Sequence, residues 1–410
     1  MKVLFAGTPG VRKSVALENL RIAIEKLDPR ERVFITQNLP GDPERVPVLD
    51  HLLYRRDPIT FLQQPEEAQK RRWRETFAQL RHRFDGAEKE HHFLGVHLTY
   101  RFEQTPSCVV SFADLADWRP NCIVTLIDDA YCVRQRIHNG GYTSFTLAEL
   151  ILWRAEEVLI GDLLARVINP KDPPPNYVVS VKHPADMLAR LLLRRQQTAR
   201  VYLSHDISDA RKEERHRRAI DRFRTQLRKK DNCAVFEPLT IDELPPILGI
   251  PATFHPGASR RYDPYDIRHR WPTLDPSRVL APDDDLRAHY PLQIPCRELS
   301  DVRLAINAQV ERRDIRLVNQ SHYLLVYRPT LTRDAKLGSG VLAEVRHARD
   351  TGCPIIWYFK KGDPIPTSPF VPKSSADNPN FIHEATETKL WEKLETLHES
   401  LDPTRDHFLR

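Results

Sequence analysis

The alternation of short apolar runs with long helical stretches constrains this chain more than any other feature. "KVLFAG" reads as a short buried strand, and "SVALENLRIAIEKL" places apolar residues at helical spacing directly after it. Further strand candidates are "RVFITQNL", "HFLGVHLTYRF", "NCIVTLID" and "YVVSVKHP", separated by helical stretches such as "EEAQKRRWRETFAQLRHRF" and "TLAELILWRAEEVLIGDLLARVI". Strands joined through helices of this length are crossover-connected, so the pattern predicts a parallel, doubly wound α/β sheet. The cycle then restarts. "RVYLSHDIS" is again a strand entering a polar loop, followed by the charged helix "DARKEERHRRAIDRFRTQLRKK". "CAVFEP", "HYLLVYRP" and "PIIWYF" supply more strands, with the helix "SGVLAEVRHARDTG" before the last.

Two complete series predict two doubly wound domains, 1–197 and 198–410, with the boundary near Gln196 to Ala199. The proline-rich stretch from Pro238 to Pro295 has little periodicity and is expected to be an insertion in the second domain, covering a site or building an interface. "KKGDPIPTSPFVPKSSADNPN" reads as loop and "TETKLWEKLETLHESL" as an amphipathic helix. With 410 residues, 40% of them hydrophobic, the chain can bury two cores, which excludes a disordered class. A net charge of +6 suits anionic ligands such as nucleotides without calling for a nucleic-acid duplex. The six cysteines form no C-x-x-C pair, which suits a reduced intracellular protein, and no apolar run approaches the roughly 20 residues that span a bilayer. A cytoplasmic protein is expected.

The first strand ends in "GTPGVRKS", one residue away from the phosphate loop G-x-x-x-x-G-K-[ST]. Such a loop turns backbone N–H groups around phosphate oxygens, and the helix behind it adds a favourable dipole. Gly7, Gly10, Lys13 and Ser14 are present; Lys13 would contact the terminal phosphates and Ser14 would hold Mg2+. Arg12 stands where the second glycine belongs. If the position needs positive φ, a side chain there costs on the order of 1 kcal/mol, although its guanidinium could also face phosphate. "CIVTLIDDAY" is an apolar strand ending in Asp128 and Asp129, as a Walker B strand points a carboxylate at Mg2+; the alternative is a strand with a capped turn. His91, His92 and His97 invite a metal reading, but they read better as ordinary buried or surface histidines.

The loop, with "HFLGVHLTYRF", "TLIDDAYCVRQRI", "LILWRAEEVLIGDLLAR" and "YVVSVKHPADML", resembles the adenylate kinase-like branch of the P-loop nucleoside monophosphate kinases over roughly residues 1–195. The resemblance implies ATP or another nucleotide at Gly7, Gly10, Arg12, Lys13 and Ser14. It also implies Mg2+ between Ser14 and Asp128, Asp129 beside it, and Arg134, Arg136 and Arg154 as phosphate contacts. Phosphoryl transfer and plain nucleotide sensing both remain open, because Arg12 breaks the loop pattern.

In the second series, "RDIRLVNQSHYLLVYRPTLTRDAKLGSGVLAEVRHARDTGCPIIWYF" puts "GSG" between a strand end and a helix start, where doubly wound folds bind ligands. Glu344 lies about one turn into that helix, where N-terminal donors could hold a carboxylate for covalent attack on an anomeric carbon. The plainer alternative is a glutamate stabilising the helix dipole. With "RVYLSHDIS", this run resembles the nucleoside 2-deoxyribosyltransferase family and its N-glycosidase relatives over about residues 199–360. The resemblance implies Glu344 as nucleophile, Asp314 binding or protonating the base, Tyr202 and Ser204 on the early strand, and Ser339 and Gly340 bordering the sugar. It further implies a homo-oligomer acting on a nucleoside, a nucleotide or NAD, as hydrolase or transferase.

Two residues depart from that family's pattern. His322 replaces an acid usual after the serine, and Gly338 stands where an aspartate is often carried, with Asp334 close enough to substitute. Asp314 could instead be an ion-pair partner of Arg313 or Arg316, and Tyr202 a core tyrosine. Pairing a nucleotide reader with a glycosidic cutter suits nucleotide salvage or depletion on a signal, as in an antiviral effector. The reading from another class is a non-catalytic nucleotide sensor that assembles with partners.

Overall fold

A computed structural model describes residues 1–35, 58–85, 91–102, 105–139, 145–207, 213–243, 261–262, 274–281, 294–328, 337–366, 368–384 and 386–400. Contacts divide the chain into two units, Met1–Asp186 with Thr240–Asn307, and Met187–Leu239 with Ala308–Phe408. The division falls near residue 186, inside the helix Ala185–Leu193, rather than at the expected 197. Of the stretch expected to be an insertion in the second domain, the described residues from Thr240 onward group with the first. Buried polar bonds account for this. Glu243 accepts from Arg154 Nη1 and from the Ala130 N–H, both at 2.7 Å, and Leu280 O accepts from Asn19 at 2.9 Å.

In the first unit, strands β1 (Lys2–Ala6), β2 (Val33–Ile35), β3 (His91–Gly95), β4 (Cys122–Ile127) and β5 (Asn176–Ser180) form a parallel sheet in the order β2-β3-β1-β4-β5. Every residue of β4 and β5 is buried, as expected of strands covered on both faces. The covering helices include α1 (Lys13–Leu27), α2 (Glu66–Asp85), α3 (Ala130–Asn139) and α4 (Leu147–Ile168). Helix α2 is very polar, yet Trp73, Phe77, Leu80 and Phe84 recur at helical spacing and pack with Trp118 and Leu94. The run expected as one strand, "HFLGVHLTYRF", breaks after Gly95, and Tyr100–Phe102 pairs with Thr105–Ser107 in a short hairpin.

The second unit contains β6 (Ala199–Ser204), β7 (Cys233–Phe236), β8 (Tyr323–Arg328), β9 (Ile355–Lys360) and β10 (Phe381–Glu384). All are parallel, in the order β10-β9-β8-β6-β7. The winding direction reverses between β6 and β8, the kind of position at which doubly wound sheets open a ligand crevice. Helices α5 (Ala185–Leu193), α6 (Glu214–Arg228), α7 (Arg303–Asn319), α8 (Ser339–Asp350) and α9 (Thr388–Thr396) complete the elements used below. Among the described residues no helix is long and apolar enough to cross a membrane.

Helix α4 packs close against the first sheet at Gly161. A Cβ there would meet Asn176 Nδ2 at 2.8 Å and Thr125 Oγ1 at 3.1 Å. Asn176 cannot readily yield, because it accepts from Thr125 and donates to Asp162, both at 2.9 Å. A Gly→Ala change in an open helix gains up to about 1 kcal/mol. Here the clash outweighs that gain, so Gly161→Ala is expected to lower stability by about 1–3 kcal/mol, read from urea midpoints; an unchanged or raised midpoint would contradict the packing.

Candidate functional site

Residues 202 and 204 lie on one face of β6, because side chains alternate along a strand. Opposite them, α8 buries Val341, Glu344, Val345 and Ala348, so a carboxylate occupies the apolar stripe of the helix. Tyr202 OH donates to Glu344 Oε1 at 2.7 Å, and Ser204 Oγ donates to Oε2. Both carboxylate oxygens are thus held by hydroxyls from the neighbouring strand. Helix N-terminal donors, expected to hold Glu344, do not do so: its side chain crosses to β6 instead of returning to the first turn.

Burial pushes the Glu344 pKa up to about 8, and the charge of Asp314 adds to the rise. The bonds from Ser204 and Tyr202, and the charge of Arg313, oppose it. Asp314 on α7 accepts from Arg313 Nε and Nη2, both at 3.1 Å, so the ion-pair alternative is realised. Burial still raises its pKa against that guanidinium. Tyr202 is fully buried, and burial together with both carboxylates raises its pKa well above the ordinary phenol value. It stays a donor. The resulting cluster joins Glu344, Tyr202, Ser204 and Asp314, with the two acids electrostatically linked.

Ser339 and Gly340 are exposed on the first turn of α8, and a Cβ added at Gly340 would meet only open space. Gly338 caps the helix with an ordinary φ of −58°, so no backbone angle calls for glycine here. A Cβ at 338 would come within 2.8 Å of Asp206 Oδ2. Asp206, two residues beyond Ser204, is brought beside the first turn of α8, a neighbour that sequence reasoning did not single out; its only signal was the polar loop after the strand. Asp334 lies outside the described residues. His322 precedes β8 at its opposite end, where its Nδ1 accepts from Arg200 N at 3.1 Å. That departure therefore does not touch the cluster.

In the first unit, Gly7 and Gly10 have φ of 146° and 76°, and Arg12 has φ 62° and ψ 42° as N-cap of α1. The left-handed conformation at Arg12 costs about 1–2 kcal/mol relative to the right-handed one. Buried Glu157 accepts from Gly7 N, Leu98 N and Thr99 N at 2.9–3.1 Å, fastening the base of the loop. Burial raises the pKa of Glu157, and the Lys13 charge works against that rise. Lys13 is itself buried, donating to Gly7 O at 2.5 Å and lying 2.6 Å from His97 Nδ1. Ser14 is half-buried beside it. The three histidines do not converge: His91 bonds Glu31 at 2.7 Å, His92 stacks on Phe84, and His97 faces the loop.

The expected phosphate-binding arginines are tied to protein groups. Arg134 pairs with Glu298 at 2.8 Å, Arg154 with Glu243, and Arg136 with Asp128 at 2.6 Å and with Gly10 O at 3.0 Å. Lys182 donates to Asp129 Oδ2 and lies 3.6 Å from Asp128 Oδ1. Asp128, Asp129 and Cys132 hold ligand atoms within 4.8 Å of one another. Both carboxylates nevertheless have no side-chain exposure and already face two cations, so as arranged this donor set does not fit Mg2+.

The raised pKa of Glu344 has a stability consequence. The folded state binds its proton more tightly than the unfolded chain, so this contribution is complete below about pH 4.5 and fades as pH rises through about 8. Glu344→Gln should therefore gain stability over wild type between about pH 5 and pH 9, by on the order of a few kcal/mol, in paired urea melts; a pH-independent difference would contradict the buried-acid assignment. In comparisons with protein-family models and with curated proteins, nothing matches this chain.

Proposed function

We propose that the second unit breaks the N-glycosidic bond of a nucleoside, a nucleotide or NAD, with Glu344 as nucleophile. The observation that carries this reading is a buried carboxylate with each oxygen bonded by a hydroxyl, at the strand ends where the sheet reverses direction. The strand order corresponds to 2-1-3-4-5, the flavodoxin-like arrangement, which supports the resemblance to nucleoside deoxyribosyltransferases.

In the proposed reaction the ionised Glu344 attacks C1′, forming a C1′–O bond as the C1′–N bond breaks, and the bonding pair leaves with the base. Asp314 supplies the proton to the departing base. Water, or a second base for transfer, then attacks C1′ as the C1′–O bond breaks and its electron pair returns to the Glu344 carboxylate, while the incoming group's proton passes to the ionised Asp314. Tyr202 and Ser204 orient the nucleophile, Ser339 and Gly340 border the sugar, and Asp206 supplies, beside Gly338, the acid that residue 338 lacks. Substrate binding must favour the ionised form of Glu344, so the rate should climb with pH toward about 8.

The first unit is read as a nucleotide-binding regulator, with a cytoplasmic homo-oligomer as the working form. A non-catalytic nucleotide sensor is the second reading, favoured there by Lys13 folded onto its own loop and by the neutralised Asp128 and Asp129.

Free-base release from a panel of nucleosides, nucleotides and NAD, followed by chromatography, tests the chemistry. Glu344→Gln should lose at least about a hundredfold in rate while remaining folded; full activity would sink the proposal. Gly338→Ala, which displaces Asp206 but leaves the Glu344 bonds in place, should lose roughly tenfold or more if Asp206 contacts substrate. An unchanged kcat/KM would remove Asp206 from the site.

A further inference from the structure

The register of the first sheet places Ile127 at the end of β4 opposite Ser180 at the end of β5. The residues that follow on each strand, Asp128 and Asp129 on one and Lys182 on the other, are therefore brought together by the sheet itself. Lys182 is fixed at its backbone too: its N–H donates to Ser180 Oγ at 3.1 Å, and the preceding Val181 N–H donates to Ile127 O at 3.0 Å. Asp129 is held from its other side by the Asp242 N–H at 2.8 Å, and Asp128 by Arg136 at 2.6 Å.

Two carboxylates here face two cations, in a place where neither carboxylate has side-chain exposure and Lys182 only 6%. A Mg2+ ion keeps several waters in a near-octahedral shell. Entry here would bring two further positive charges beside those cations and require displacing the ammonium. The same Arg136 that neutralises Asp128 also bonds Gly10 O, so the arrangement is continuous with the glycine loop.

We propose that Lys182 is a built-in cation occupying the place of a divalent metal, so that a nucleotide phosphate held at the loop of Gly7 to Ser14 is bound without Mg2+. The inference rests on reading the loop as a nucleotide site, but its test separates the two. One arm measures ATP binding to the full chain by calorimetry, in EDTA and in excess Mg2+. The second measures binding of Mn2+ alone, without nucleotide, by paramagnetic resonance, in wild type, Lys182→Ala and Lys182→Gln.

The expected result is an ATP Kd that differs by less than about threefold between the two buffers. Wild type should take up no Mn2+, and at least one folded variant should take up one equivalent at Asp128, Asp129 and Cys132. ATP binding strengthened about tenfold or more by Mg2+ would overturn the inference. So would equal Mn2+ uptake by wild type and variants, or uptake by none of them. Failure of ATP to bind in either buffer would remove the nucleotide reading of the loop, leaving the Mn2+ arm to decide the role of Lys182.

Discussion

Parallel pairing sends all the strands of each sheet in one direction, so the segments that follow the strands gather along a single edge. Among the described residues, much that is chemically distinctive lies on such segments or on the helix starts beside them. In the first unit these are the glycine loop after β1, Asp128 and Asp129 after β4, and Lys182 after β5. In the second they are Asp206 after β6 and Gly338 before α8, with Tyr202 and Ser204 in the last turns of the strand pleat. Strands buried on both faces can pay for this concentration of polar groups only because their interiors are nearly all apolar.

The chain treats buried acids in two opposite ways. Glu237, at the end of β7, is also fully buried, which alone would raise its pKa, but Arg224 and Arg228 at 2.6 Å hold it below the usual carboxylate range. Asp128 and Asp129 are likewise matched by cations. Ion pairs of this kind act as structural anchors. Glu344 has hydroxyls where the others have ammonium or guanidinium groups, and the charge that reaches it most strongly is that of another acid. A carboxylate left close to balance between its two states is suited to reaction; one fixed by two arginines is not.

Apolar runs made the sheets legible in the sequence, because buried parallel strands have little freedom of composition. The edge strand β10 was not legible: "FIHE" is short, and its last two residues are only half-buried. Glu344 stood out as a glutamate after a glycine turn, whereas Tyr202 and Ser204 entered only through the resemblance to the deoxyribosyltransferase family. Lys182 did not stand out, since its meaning comes from the pairing of β4 with β5, and Asp206 matters through a space at Gly338 that no spacing rule encodes. The membership of residues 240–307 was hidden for a related reason. A proline-rich stretch without periodicity is tied to its unit through single buried bonds, such as those of Glu243.

That discontinuity bears on how the protein is made. The amino-terminal unit draws Glu243 and Leu280 from a segment that follows the first strands of the other unit. As the chain leaves the ribosome, residues 1–186 therefore emerge well before the groups that satisfy Arg154 and Asn19. Until then Arg154 lacks its counter-charge, so the amino-terminal unit is completed only after the first strands of the other unit have emerged, a departure from the simple vectorial order of contiguous domains.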